Sequence, residues 1–251
     1  MKTKFLFVVA MLMASTTTFA QFLNSSAKSS SSFDGGEWST IYVQWNPSSY
    51  VPDKGDSESF TGLSIGYNKA FSISQSIPLF VEAGIGAQYS FYTKDLVSDL
   101  AEEYNTSESS IRNLMDPEMK INMISAKVPI SLAYTYQIPD SKITLIPYVG
   151  IDFRVNIIGK ASAKYNLTSN GKTALKQAGV SLEEKDVNLF NKDDMGSDDK
   201  TWNRFQVGWH IGLNVRINNQ FLVGASYGTD FSEIVKKVKI HTASITVGYC
   251  F

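Results

Sequence analysis

The sequence predicts an all-β fold, an eight-stranded antiparallel transmembrane β-barrel with long extracellular loops and short periplasmic turns. Three observations lead to this fold: segments with apolar residues at every second position, connections that alternate between long and short, and aromatic residues near the segment ends. Period two is the side-chain period of a β-strand with one apolar face. The eight segments span 41–45, 63–71, 79–91, 124–136, 143–155, 205–217, 221–231 and 243–251.

The composition excludes several other classes of protein. The chain has 251 residues, of which 43% are hydrophobic and 12% aromatic, too many for a disordered chain. A formal net charge of −1 argues against a nucleic-acid-binding protein, which needs a basic face. Beyond the N-terminal region no apolar run approaches the ~20 residues that a membrane-spanning helix needs.

Residues 1–20 predict a secretory signal peptide. Two lysines, an unbroken apolar stretch and then small residues follow one another, with cleavage expected between Ala20 and Gln21. Residues 21–36 are rich in Ser and Gly and predict a flexible periplasmic leader. The barrel itself is expected to span 37–251.

The connections and the aromatic residues distinguish a membrane barrel from a soluble sandwich. The connections after the third and fifth segments are long, whereas 137–142 and Asn218–Asn219 are short, as in bacterial outer-membrane barrels. Outward aromatic residues at both segment ends would form the two interfacial girdles of such a barrel. They are Trp45, Phe91, Phe205 and Phe231 by the long loops, and Phe71, Tyr136, Phe221 and Phe251 by the short turns.

A family resemblance is carried by the glycine-rich stretches 81–87 and 223–228 and by the ending 243–251. With the eight alternating segments, these resemble the PorT-like outer-membrane β-barrel family of Bacteroidetes and, more distantly, the N-terminal domain of outer membrane protein A. The resemblance implies a bacterial outer-membrane location and a link to cell-envelope integrity and secretion.

The C-terminal strand resembles the signal that the barrel-assembly machinery reads. The chain ends on an aromatic residue with apolar residues at alternate positions before it. The resemblance implies that these residues matter for insertion, and that the barrel-assembly machinery is a partner. They are Ile245, Val247, Tyr249 and Phe251.

Seven charged residues fall on the polar faces and are expected in the lumen. Buried charges need partners, so these residues predict a mutually neutralising plug, with a polar path for ions as the alternative. The expected register places Lys127 opposite Asp152. It also places Asp230 opposite Gln206 and diagonal to Arg204, and Glu82 opposite Asn68. The seven are Glu82, Lys127, Asp152, Arg154, Arg204, Arg216 and Asp230.

The sequence predicts no enzyme, metal site or cofactor. His210 is expected mid-strand, facing Ser226 without an adjacent carboxylate, and His241 near the outer face. Without an acid to orient it, neither histidine forms a catalytic triad. The acidic run 193–199 lacks the ligand spacing of an EF-hand loop.

The long loops are expected to carry the interactions of the protein. Short helices are predicted over 95–115, folded over the barrel mouth, and over 172–178, ended by Gly179. We expect a monomeric, non-enzymatic protein of the cell envelope, with a structural or interaction role and an accessory role in secretion. Its expected partners are the bilayer, envelope or secretion proteins, or an extracellular ligand at the loops, and no nucleic acid. The alternative is a narrow porin-like channel for small solutes or ions.

Overall fold

A computed structural model describes residues 36–53, 57–74, 76–179, 186–197 and 200–251. The expected signal peptide with its Ala20–Gln21 cleavage site, and the leader up to residue 35, lie outside the described residues. The strands are β1 (Trp38–Pro52), β2 (Glu58–Ser72), β3 (Leu79–Asp95), β4 (Met115–Tyr134), β5 (Tyr136–Gln137), β6 (Ile143–Leu167), β7 (Asp186–Asn188), β8 (Phe205–Ile217), β9 (Phe221–Asp230) and β10 (Val238–Cys250). The helices are α1 (Val97–Glu103), α2 (Glu108–Leu114), α3 (Ser169–Ala178) and α4 (Lys192–Met195).

Eight of the strands close into a ring. The order is β1-β2-β3-β4-β6-β8-β9-β10, and β10 pairs with β1 again, with every pair antiparallel. The short strands β5 and β7 only pair with β6. Closure leaves no open edge along the ring, which is the condition for a sheet to stand in lipid.

The side chains alternate between an apolar outside and a largely polar inside, as predicted. On β2 and β10 the outward Ile65 and Val247 are each 59% exposed, whereas the inward Ser64 and Thr246 are buried. The outward positions of the other strands are exposed in the same way. A soluble protein could not leave such a band of aliphatic side chains in water, so this face is built for lipid.

The two ends of the barrel differ, and we call them the turn end and the loop end. The turn end holds the short connections, such as the hairpin between β8 and β9. There Asn218 and Asn219 have φ of 53° and 58°, which Asn tolerates better than other non-glycine residues. The loop end holds the long connections between β3 and β4 and between β6 and β8.

Strands β4 and β6 continue past the rest of the barrel at the loop end. They have 20 and 25 residues, against the ~9–11 that a tilted spanning strand needs. A β-bulge at Ile157, where the register between the strands shifts, marks the start of the projecting part.

The predicted helices form in the expected parts of the sequence, but they do not lie over the barrel mouth as expected. Helices α1 and α2 occupy most of 95–115, and α3 ends at Gly179 with φ of 66°. They pack on one another and on the projecting ends of β4 and β6, with Val97, Ala101 and Ile111 buried between them. They do not cover the barrel mouth, which is filled by other residues. Among the described residues, no helix has both the length and the hydropathy to cross a membrane.

Candidate functional site: the lumen and its two apolar layers

Apolar side chains fill the lumen at the turn end. Trp38 begins β1 and meets Phe80 of β3 with ring centroids 4.6 Å apart. The Arg216 guanidinium lies 4.6 Å from the centre of the Trp38 ring, a cation–π contact that faces the polar interior. This turn-end layer consists of Trp38, Ala70, Phe80, Ala133, Ile146, Leu222 and Cys250, with Tyr148 packed against it.

A second apolar layer fills the loop end. Ile234 reaches it from the β9–β10 loop and is 0% exposed. Trp202 reaches it from the long β6–β8 loop, and its ring centroid is 5.3 Å from that of Tyr50. This mouth layer consists of Phe60, Ile234 and Ile240, with Tyr50, Tyr92, Trp202, Val235 and Val238 packed against them. Each fully buried large side chain of this kind stabilises the fold by about 1.5–3 kcal/mol.

Between the layers, Arg154 is the centre of a buried polar cluster. It makes an ion pair with Asp230, and both side chains are nearly inaccessible. Its Nε and Nη2 also donate to Gln206 Oε1 at 3.1 and 2.9 Å. Asn156 Nδ2 donates to the same oxygen at 3.1 Å. The guanidinium is therefore both paired and hydrogen-bonded, which buried charges require.

A second cluster joins three strands across the lumen. Asp152 lies 4.0 Å from Lys127 Nζ and accepts a hydrogen bond from His210 Nδ1 at 2.9 Å. Because a carboxylate can only accept, His210 Nδ1 is protonated and donates to Asp152, and His210 Nε2 lies within hydrogen-bond distance of the Ser131 hydroxyl, at 2.8 Å. The chain Ser131–His210–Asp152 thus links β4, β8 and β6.

Gly150 makes this link possible. It lies level with both Ser131 and His210 on neighbouring strands. A Cβ atom at 150 would approach Ser131 Oγ to 2.6 Å and His210 Nε2 to 2.7 Å. Only glycine leaves room for the two side chains to meet across β6.

The lumenal carboxylates are matched in number by lysine and arginine side chains. Glu82 is 6% exposed, and its charged neighbours are Arg216 and His210. Leaving His210 aside, three carboxylates face three Lys and Arg side chains among the described lumenal residues. They are Glu82, Asp152 and Asp230 against Lys127, Arg154 and Arg216.

The structure corrects three expectations about this network. Each expected register is wrong by two residues: Lys127 lies opposite Arg154, Asp230 opposite Gly208, and Glu82 opposite Ala70. Lys127 and Asp152 are still in contact, from diagonal positions on neighbouring strands.

Arg204 is not in the lumen. It lies 4.4 Å from the centre of the Phe190 ring and donates to the Ile157 carbonyl at 3.0 Å, so it supports the bulge. The cation that pairs with Asp230 is therefore Arg154, not Arg204.

The expectation that His210 has no adjacent acid is also wrong. It lies opposite Gly228 instead of Ser226, and it contacts Asp152. The resulting Ser–His–Asp geometry is that of a hydrolytic triad, but Ser131 lies in mid-strand, where the ladders to β3 and β6 use the backbone. It also lies between the two apolar layers.

A small chamber remains in the polar section. Its volume is about 80 Å³, room for several water molecules. Asn68 Oδ1 and Asn214 Oδ1 are buried without a hydrogen-bond partner among the described residues, and both residues line the chamber. Water fits these acceptors. No group of three metal-ligating side chains occurs among the described residues.

The apolar layers are the part of the lumen that the sequence reasoning missed. At the turn end a signal existed: apolar residues stand on both faces, as in Phe80–Val81, Leu145–Ile146 and Phe221–Leu222. At the loop end Trp202 and Ile234 belong to irregular loops, where the sequence has no regular spacing of apolar residues that could indicate burial.

The loop end carries a charged cluster that gives a pH prediction. Tyr92 Oη donates to Glu58 Oε2 at 2.6 Å, and Lys94 Nζ lies 3.0 Å from Glu58 Oε1 and from Asp99. The Tyr92 hydrogen bond, and then that of Lys94, lower the pKa of Glu58, while burial and this bond raise the pKa of Tyr92 to about 12.

A depressed carboxyl pKa means that the contribution of Glu58 to stability is present at neutral pH. It is lost as the pH falls through the folded-state pKa. We expect Tyr92→Phe to move the pKa of Glu58 back towards its ordinary value, measured by NMR titration of the carboxyl carbon. Tyr89→Phe, on the same strand, is the matched control because Tyr89 bonds Asn122 instead. Equal titration in both variants would contradict this account.

Comparison with known proteins agrees with the architecture. A family model described as an outer membrane protein beta-barrel domain matches residues 6–251. No curated protein matches the chain in sequence.

Among solved structures, the chain is similar to Ail of Yersinia pestis, solved with the heparin analogue sucrose octasulfate. The identity is 14%, the coverage 86% of this chain and 99% of that chain, and the TM-score 0.37. The chain is also similar to Neisserial surface protein A, with 12% identity, coverage of 86% of this chain and 99% of that chain, and a TM-score of 0.39. For the outer membrane enzyme PagL the identity is 10%, the coverage is 83% of this chain and 97% of that chain, and the TM-score is 0.39.

Proposed function

This chain belongs to the family of outer membrane proteins with a β-barrel domain, and on that premise we propose that it is a closed barrel without enzymatic activity. It lies in the bacterial outer membrane, with the loop end outside and the turn end in the periplasm. Its role is structural or interactive, through the extracellular loops. The observation that supports this is the lumen, which apolar side chains fill at both ends.

The finer assignment is to the PorT-like group, with an accessory role in secretion or envelope integrity. The support is the resemblance of 81–87, 223–228 and the final strand. Under this proposal the barrel-assembly machinery reads Ile245, Val247, Tyr249 and Phe251, all of which are exposed on the outside of β10 and the terminus. The protein is exported by the signal peptide and acts as a monomer.

Two other functions each have an observation in their favour. The polar middle section favours a narrow channel, which would need both apolar layers to move aside. The Ser131–His210–Asp152 chain favours a hydrolase, which would need a substrate small enough for the chamber.

The proposal predicts that the loops matter for function and the lumenal triad does not. In cells lacking the protein, a variant with 97–114 replaced by a short Gly/Ser linker should fail to restore resistance of the envelope to detergent. The variant S131A/H210A should restore it fully. Heat-modifiable migration on gels checks that both variants are folded.

The opposite result would overturn the proposal. If S131A/H210A loses function while the loop variant keeps it, the lumen is the working site. Labelling of wild-type Ser131 by a fluorophosphonate, absent in S131A, would then identify a hydrolase.

A further inference from the structure

The outside of the barrel is not uniformly apolar near the loop end. One row of outward side chains crosses five strands, from Tyr227 on β9 to Phe91 on β3. Between them the row holds only Ala243, Pro47 and Thr61. Small side chains between two exposed rings leave a trough across β10, β1 and β2, roughly 10–15 Å wide at the ~4.8 Å spacing of strands.

Pro47 contributes to the trough through its backbone. It has no N–H to donate, and the ladder between β1 and β10 is interrupted at 46–47. The same surface region forms an open groove lined by residues of β1, β2, β9 and β10.

The next row towards the loop end is entirely polar. It runs Thr229, His241, Ser49 and Ser59 across β9, β10, β1 and β2. His241 Nδ1 lies 2.7 Å from the Tyr227 hydroxyl. With the phenol as donor, His241 Nε2 carries a proton that can be donated to a ligand in the trough.

A lysine side chain lies one row beyond this polar row, towards the loop end. Lys239 is exposed on the same face of β10, opposite Val51. The polar row itself contains no carboxylate. The acid nearest along β1 is Asp53, one step farther from the membrane, where its N–H bonds the Lys237 carbonyl at 3.0 Å.

The row on the other side of the trough is apolar. Ile245, Trp45, Leu63 and Tyr89 lie side by side and are all exposed to lipid. The surface therefore changes from the apolar row to the polar row within three rows, about 14 Å at the ~7 Å repeat between same-face residues, and Lys239 lies one row farther. Only an amphiphile matches both halves.

We propose that this trough binds a phosphate-bearing lipid of the outer leaflet. The acyl chains lie over Trp45, Leu63 and Ile245, and the phosphate is held by Lys239 and His241. The hydroxyls of Ser49 and Ser59 complete the polar edge. Charge complementarity and continuity with the lipid-facing band select a lipid over a soluble anion or a protein.

Native mass spectrometry of the refolded protein in detergent tests the proposal. The probes are dilauroyl phosphatidic acid and dilauroylglycerol, which differ only in the phosphate. Wild type should bind one phosphatidic acid at least tenfold more tightly than diacylglycerol, and K239A/H241A should lose that preference. The control K164A removes an exposed lysine of β6 and should behave as wild type.

A second variant tests the shape of the trough separately from its charge. A243F fills the trough and should weaken phosphatidic acid binding at least tenfold, whereas A126F, on the outward face of β4, should not. Equal binding of diacylglycerol, no effect of either trough variant, or complete displacement of the lipid by millimolar inorganic phosphate would overturn the proposal. Heat-modifiable migration on gels confirms that each variant is folded.

Discussion

Replacing Val149 or Leu213 by Arg should destabilise the barrel in a bilayer by about 2–4 kcal/mol. Both side chains are on the outward face, 49% and 45% exposed, and they lie near mid-height on the adjacent strands β6 and β8. An arginine there must either leave its charge in hydrocarbon or distort the bilayer to reach water.

Reversible denaturant unfolding in phospholipid vesicles measures this effect. The control is Thr173→Arg, on the exposed helix α3 outside the barrel, which should leave the free energy of unfolding nearly unchanged. Equal stability of all three variants would mean that the outward faces of β6 and β8 do not meet lipid.

The second large effect is expected inside the barrel. Arg154→Leu removes the partner of Asp230 and also the donor to Gln206. A buried charge without a partner destabilises a protein by about 3–5 kcal/mol, whereas replacing both partners by apolar residues can be neutral. The double variant R154L/D230L should therefore recover most of the loss.

The same unfolding measurement tests this pair. Arg112→Leu is the matched control, since Arg112 also pairs with an aspartate, Asp95, but at the exposed loop end. It should have little effect. If R154L and R154L/D230L unfold at the same denaturant concentration, Asp230 is not the group that Arg154 neutralises.

The outward faces of the strands could be predicted from the sequence because lipid imposes a strict period. Ile65 and Val247 are apolar for the same reason that every second residue around them is: the outside of the barrel has one kind of solvent. The membrane barrel was also predictable from the alternation of long and short connections and from the aromatic residues at the strand ends.

The register could not be predicted, because it depends on turn geometry. The hairpin between β4 and β6 closes with Ile138 N–H bonded to the Ile143 carbonyl, one residue later along the chain than a tight closure of 137–142. The hairpin between β8 and β9 contains Gln220 as well as the two asparagines. Moving the centre of a turn by one residue along the chain shifts each pairing across it by two, and that shift is what moves His210 away from Ser226.

The candidate site depended on contacts between strands far apart in sequence. The lumenal charges were predicted from the polar faces, but their partners follow from the register and from Gly150, which lets Ser131 reach His210. The mouth layer depends on where loops fold, and Trp202 carries no local signal for that.

The central claim is that the lumen is closed by the turn-end layer and the mouth layer. Single-channel recording of the refolded protein in a planar bilayer tests it most directly, with the variant W38A/F80A/W202A/I234A beside wild type. The account predicts a silent wild type, and discrete conductance steps only when side chains are removed from both layers. Steady steps from the wild-type protein would contradict it.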